Sequence, residues 1–263
     1  MHEPINLLLD IGNSRMKWNL WQHGAEQFSQ ETRHVDYKAK PIDRVLSAEW
    51  GKLHGIQDIY IANVAGQEVA QQINHWTRSQ WDVEPKYVAT SASFQSVTNG
   101  YRNYQRLGVD RWLAVIAAQQ LCLDQQVIII DCGTAITVDA LNRDGQHHAG
   151  PILPGRHMML QSLSINTADL KIPSNLESLF YVFAENTENA ITSGVNFAAS
   201  SALNTIVARM RQKLLEETGI KAVSLVVTGG AAEQLLPLTE ITDFKLVPDL
   251  VLMGLRRVAE LNQ

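Results

Sequence analysis

Two hydrophobic periods alternate along the chain. Solid apolar runs, Leu7-Leu8-Leu9 and Val127-Ile128-Ile129-Ile130, predict buried strands. Each run ends in a small polar turn, Asp10-Ile11-Gly12-Asn13-Ser14 and Asp131-Cys132-Gly133-Thr134, with Asp, Gly and a polar residue in matching places. A second strand follows each turn. Met16, Trp18 and Leu20 alternate with Lys17 and Asn19, the period of two expected of a half-buried strand. Ala135 to Leu141 is rich in β-branched residues and closes on Asp144-Gly145, a hairpin signal. A third strand-to-turn unit is Leu225-Val226-Val227-Thr228-Gly229-Gly230. Helical spacing fills the intervals. It runs from about Arg111 to Leu123 through Trp112, Val115, Ile116 and Cys122, and from about Ala190 to Glu217 through Val195, Ala199, Leu203, Val207 and Leu214.

A hairpin that occurs twice, with helices between, predicts two α/β halves, residues 1–120 and 121–263. The length of 263 residues fits two domains, and 45% apolar residues suffice for their cores. The net charge of −5, with no Lys/Arg block, argues against a nucleic-acid groove. It does not oppose a nucleotide, because backbone N–H groups and a few placed cations can hold phosphates. Cys122 and Cys132 lie outside any Cys-x-x-Cys pair, so neither a disulfide framework nor a zinc site is expected, and a reducing cytoplasm fits. The start Met1-His2-Glu3-Pro4 lacks the basic and apolar regions of a signal peptide. No apolar run approaches the ~20 residues that span a bilayer. The expectation is a soluble cytoplasmic protein without a membrane or nucleic-acid partner.

Asp10 to Lys17 has the makings of an anion turn. Gly12 lets N–H groups converge, Ser14 adds a hydroxyl, Arg15 or Lys17 adds charge, and Asp10 can hold a hydrated metal beside phosphates. An ordinary hairpin with a solvated Asp explains the same residues. The second turn repeats the chemistry through Asp131 and Thr134, and two such turns suit a polyphosphate held from both sides. Thr228-Gly229-Gly230-Ala231 either lets a flat ring approach the backbone or simply needs Gly for its angles. At Leu107-Gly108-Val109-Asp110-Arg111-Trp112, Asp110 reads both as a helix N-cap and as a general base beside a carboxylate-binding guanidinium. Thr187 reads as the cap of the helix from Ala190, and the basic pair Arg156-His157 as an ordinary loop.

In their order these blocks resemble the type III pantothenate kinase family, within the superfamily of acetate kinase, sugar kinases and actin. The resemblance rests on Asp10-Ile11-Gly12-Asn13-Ser14-Arg15, Asn99-Gly100-Tyr101, Gly108-Val109-Asp110-Arg111, Asp131-Cys132-Gly133-Thr134-Ala135-Ile136-Thr137-Val138-Asp139, Pro154-Gly155, Thr187-Glu188-Asn189 and Thr228-Gly229-Gly230. It implies two ribonuclease H-like (actin-like ATPase) domains, each a mixed β-sheet flanked by helices. It implies ATP-dependent phosphorylation of pantothenate, the first step of coenzyme A synthesis, with Mg²⁺, a monovalent cation (K⁺ or NH₄⁺) and a homodimer. By the same resemblance Asp10, Ile11, Gly12, Asn13, Ser14, Arg15, Met16, Lys17 and Thr134 contact ATP, and Asp131 holds the monovalent cation. Asp110 accepts the hydroxyl proton. Tyr101, Gly108, Val109, Asp110, Arg111 and Thr187 contact pantothenate. Gly150-Pro151 replaces a usual Gly-Gly pair, and Tyr104 replaces a common proline. The competing readings are a phosphohydrolase of the same superfamily and a catalytically inactive regulatory or accessory protein.

Overall fold

The computed structural model describes residues 5–25, 27–166, 173 and 179–261. In chain order it begins β1 (Ile5–Ile11), β2 (Met16–Gln22), β3 (Arg33–Val35), α1 (Ile42–Trp50), β4 (Ile56–Asn63), α2 (Gln67–Trp81) and β5 (Lys86–Tyr87). Short strands β6 (Ser93–Phe94) and β7 (Val97–Thr98) precede α3 (Val109–Leu121). There follow β8 (Val127–Cys132), β9 (Ala135–Leu141), β10 (His147–Pro154), α4 (Arg156–Asn166), α5 (Thr187–Thr218), β11 (Ser224–Thr228), α6 (Ala232–Leu235), β12 (Lys245–Leu246) and α7 (Leu250–Leu261).

The chain divides into two compact units. Unit 1 holds residues 1–94, 101–117 and 249–263; unit 2 holds 95–100 and 118–248. A cut near residue 120 therefore misplaces the C-terminal helix. The reason is packing: α7 lies against β1, β2 and β4, and Gly254 approaches α3 so closely that an added Cβ would stand 2.0 Å from the Leu113 carbonyl oxygen.

Each unit carries one mixed five-stranded sheet, ordered β3-β2-β1-β4-β5 in unit 1 and β10-β9-β8-β11-β12 in unit 2. In both, the first three strands form an antiparallel meander and the last two add in parallel. This is the mixed α/β architecture of two ribonuclease H-like domains.

The cores follow from the apolar periodicity. In unit 1, Leu7, Leu9, Ile11, Met16 and Trp18 face α1 and α2, where Trp50 meets Trp18 edge-on at 6.3 Å and Trp76 at 5.7 Å. Such ring pairs add about 0.5–1.5 kcal/mol beyond burial. The opposite face of β2 is not solvated as the alternation predicts. Asn19 and Trp21 are buried there, and the Asn19 amide donates to the Gln30 carbonyl at 3.0 Å and to Thr32 Oγ1 at 2.8 Å. In unit 2, Ile128, Ile130, Val138, Leu225 and Val227 pack with Ala199, Leu203, Val207 and Leu214 of α5. Pro151 sits on the edge strand β10 where the register with β9 slips, a place that tolerates a missing N–H. Gly150 is needed there, since a Cβ would stand 2.1 Å from the Val138 carbonyl oxygen. Among the described residues no helix is long and apolar enough to cross a membrane.

Candidate active site

In unit 1 the β1–β2 turn is closed by the Gly12 N–H donating to the Arg15 carbonyl at 3.0 Å. The Tyr37 hydroxyl donates to the Gly12 carbonyl at 2.8 Å, which pins the turn from outside. Ile11 and Met16 are fully buried, whereas Asn13, Ser14 and Arg15 are exposed. Asp10 is buried opposite Lys17, and Lys17 in turn lies opposite His34. Burial, then the charges of Lys17 and Arg15, hold the His34 imidazole below its ordinary value. The turn is therefore a cationic rim around a buried carboxylate.

The second constellation of unit 1 lies at the head of α3. Leu107, Val109 and Trp112 are buried and anchor the helix start, and the Thr90 hydroxyl holds the Leu107 carbonyl at 2.9 Å. The Trp112 N–H donates to the Gly108 carbonyl at 3.1 Å, which puts the cap at Gly108. Asp110 is thus not the N-cap. It sits in the first turn, half-buried, with Oδ1 accepting the Arg111 N–H at 2.8 Å and leaning over Gly108, where a Cβ would come within 2.5 Å. Arg111 is 6% exposed; its guanidinium donates to the Tyr101 hydroxyl at 3.3 Å and lies 5.9 Å from that ring's centroid. One helix head thus gathers a carboxylate, a buried guanidinium, a phenol and a glycine.

In unit 2 the β8–β9 turn is one residue tighter than its counterpart, with the Gly133 N–H donating to the Ala135 carbonyl at 3.1 Å. Thr134 is exposed at its tip. Two glycines from elsewhere close on it. Gly155 donates to the Thr134 carbonyl at 3.0 Å, and a Cβ there would stand 2.4 Å from the same oxygen. Gly229, at φ +93°, would bring a Cβ to 2.4 Å from Asp131 Oδ1 and 2.5 Å from the Cys132 carbonyl oxygen. The Ala231 N–H donates to the Cys132 carbonyl at 2.9 Å, and Thr228 pairs with Asp131 in the parallel β8–β11 ladder. The Gly229 requirement is thus set by the backbone and the Asp131 carboxylate. Thr187 is the exposed first residue of α5; the cap is Asn186, whose side chain accepts the Asn189 N–H at 2.8 Å. Arg156 is buried and donates to the Gln234 carbonyl at 3.4 Å, and burial lowers its pKa; His157 is exposed.

The sequence pattern gave no role to Asp139, the last residue of its block, or to His147. Both are buried and paired at 3.0 Å. Gly155 was legible only as a turn former, because its partner oxygen belongs to a distant strand end.

A family model described as type III pantothenate kinase matches residues 6–209. A type III pantothenate kinase of Nitrosococcus oceani is 34% identical over 259 residues, covering 97% of this chain and 93% of the relative. One from Methylibium petroleiphilum is 36% identical over 258 residues, covering 96% and 97%. Among solved structures, a conserved putative Baf family transcriptional activator from Campylobacter jejuni superposes with TM-score 0.56 at 21% identity, covering 97% of this chain and 98% of that one. A putative 2-dehydro-3-deoxygalactonokinase from Sinorhizobium meliloti gives TM-score 0.50 at 14% identity, covering 97% and 95%. Both superpositions show a shared fold.

Proposed function

The chain belongs to the type III pantothenate kinase family, and on that premise we propose how it transfers the terminal phosphoryl group of ATP to pantothenate. The observation that carries the reading is the head of α3, where half-buried Asp110 adjoins buried Arg111 and the Tyr101 hydroxyl. Pantothenate offers a primary hydroxyl at one end and a carboxylate at the other. Asp110 accepts the hydroxyl proton as that oxygen bonds to the terminal phosphorus and the bond to the β-phosphate oxygen breaks. Arg111 holds the pantothenate carboxylate through two parallel N–H donors, with Tyr101 aligning the fork. Gly108 and Val109 supply backbone at the same place, and the family resemblance assigns Thr187 as a further pantothenate contact.

For ATP, the reading assigns the phosphates to the Asp10–Lys17 turn, including the Gly12, Asn13, Ser14 and Arg15 backbone, and to Thr134. Among the described residues no group of three or more His, Cys, Asp or Glu forms a metal cage. Mg²⁺ keeps its waters and binds through one or two carboxylates plus substrate phosphates, and Asp10 would be the protein's contribution. When bound, the ion neutralises charge on the phosphates. Asp131, with the Cys132 carbonyl beside it and Gly229 packed close on both, offers oxygen donors of the kind that K⁺ or NH₄⁺ takes. The assembly is a homodimer.

The test is a coupled ATP-turnover assay of purified protein with and without pantothenate. Pantothenate-dependent turnover yielding phosphopantothenate is expected. Phosphate release that ignores pantothenate would instead mark a phosphohydrolase.

A further inference from the structure

One buried ionisable pair has no part in the chemistry above. Asp139 of β9 and His147 of β10 are 2% and 0% exposed, and Asp139 Oδ1 lies 3.0 Å from His147 Nε2. The Gly100 N–H donates to the other ring nitrogen, Nδ1, at 3.3 Å. A backbone N–H is always a donor, so Nδ1 carries no proton. The ring is therefore neutral, and its one N–H, on Nε2, points at the Asp139 carboxylate. Asp139 also accepts the Gly150 N–H at 3.3 Å.

The pair grips the chain just before Tyr101. Gly100 lies flush on β10: a Cβ would stand 2.1 Å from the His147 carbonyl oxygen. Two residues earlier the Thr98 N–H donates to the Gly145 carbonyl at 2.9 Å. The segment is thus fastened twice to the β9–β10 hairpin, the second time one residue ahead of the phenol that meets Arg111. Stability alone is a weak reason for such a pair, since apolar side chains of equal volume usually stabilise a core as well. An apolar pair would lack the acceptors for two backbone donors, Gly150 within the hairpin and Gly100 in the segment that leads to Tyr101.

We propose that His147, oriented by Asp139, is a positioning residue for substrate: by fixing the Gly100 backbone it presents Tyr101 to Arg111 at the carboxylate end of pantothenate. This rests on the reading of Tyr101 and Arg111 as pantothenate contacts.

Two amides divide the imidazole's duties. The Asn carbonyl oxygen falls near Nδ1 and can accept from Gly100; the Gln amide falls near Nε2 and can serve only Asp139. His147→Gln is expected to raise the pantothenate KM about tenfold, the scale of one lost buried hydrogen bond, with kcat and the ATP KM within about twofold. His147→Asn is expected to keep the pantothenate KM within about twofold of wild type, whatever its melting temperature. Equal pantothenate KM values in the two variants, or a parallel rise of both KM values in His147→Gln, would overturn the proposal. Arg111→Lys is the reference, with an expected rise in the pantothenate KM well above any in the ATP KM. If it leaves the pantothenate KM unchanged, the substrate reading itself fails. If it raises that KM and His147→Gln does not, the positioning proposal alone fails. Should His147→Gln not fold, nitrogen NMR of the wild-type ring decides: a neutral tautomer protonated on Nε2 supports the proposal, and a protonated Nδ1 overturns it.

Discussion

At Asp110 the Arg111 N–H donates to Oδ1 at 2.8 Å, a bond that a carboxamide oxygen accepts equally well. Asp110→Asn therefore keeps the local geometry and loses only the charge in the first turn of α3, about 0.3–1 kcal/mol. The melting temperature is expected to move by no more than about 4 °C. The carboxylate that accepts a proton is gone, and general-base contributions are about 10²–10⁴-fold. Turnover is expected to fall at least about 10²-fold with ATP binding retained, although a loose transition state asks less of a base. A variant that keeps more than about a tenth of wild-type turnover would make Asp110 a positioning group. The residue type and its Arg neighbour were legible in the sequence. Its place within the helix was not, because Asp is favoured both at the cap and through the first turn, and only the Trp112-to-Gly108 bond separates the two. Thr187 shows the same one-residue ambiguity against Asn186.

The two hairpins were legible because each pairs an apolar run with a small polar turn, a local pattern. What closes on the second turn was not. Gly229 reaches Asp131 only because β11 pairs in parallel with β8, and Gly155 reaches Thr134 only because β10 returns along β9. These contacts are non-local, and no spacing rule encodes them. Two predictions belong to this cluster. The first is that activity requires K⁺ or NH₄⁺ besides Mg²⁺ and that Asp131→Asn blunts the response. Full wild-type activity with Na⁺ as the sole monovalent ion would refute it. The second concerns Cys132, fully buried beside Asp131. Burial, helped by the Asp131 charge, pushes its thiol from 9.0 up to about 12. A disulfide reagent at about pH 8 is expected to leave Cys132 unlabelled in the folded protein and to label it once denaturant is added. The same shift sets a stability trend. Below 9.0 folded and unfolded chains both hold the proton; between 9.0 and about 12 only the folded chain does, so the folding contribution of this group declines as pH rises through that window. Denaturant midpoints measured on either side of 9.0 check the sign.

For the whole molecule the question is what covers its remaining apolar surface. The spacing along α5 suggests a face in excess of one domain's needs, but the structure uses that face internally: Ala199, Leu203, Val207 and Leu214 lie in the core of unit 2. Among the described residues, part of the uncovered apolar surface is a strap, residues 179–183, tied down by α5. The Asn196 amide donates to the Leu179 carbonyl at 2.7 Å, and the Tyr181 N–H donates to Ser193 Oγ at 2.8 Å. Two of the strap's backbone groups are thus paired, while Val182 is 76% and Phe183 92% exposed. Phe180 stacks on Phe197 at 4.5 Å, both still partly open, and α4, packed on α5, exposes Ile165. Apolar surface left open in this way suits a protein interface, and the proposed homodimer would cover it with a second copy. Sedimentation at micromolar concentration is expected to give a dimer. Phe183→Glu combined with Phe197→Glu is expected to give a folded monomer, because neither side chain belongs to the unit 2 core. Thr187 begins the helix that holds the strap. The monomeric variant is therefore expected to lose affinity for pantothenate more than for ATP, and a wild-type protein that sediments as a monomer would refute the assembly.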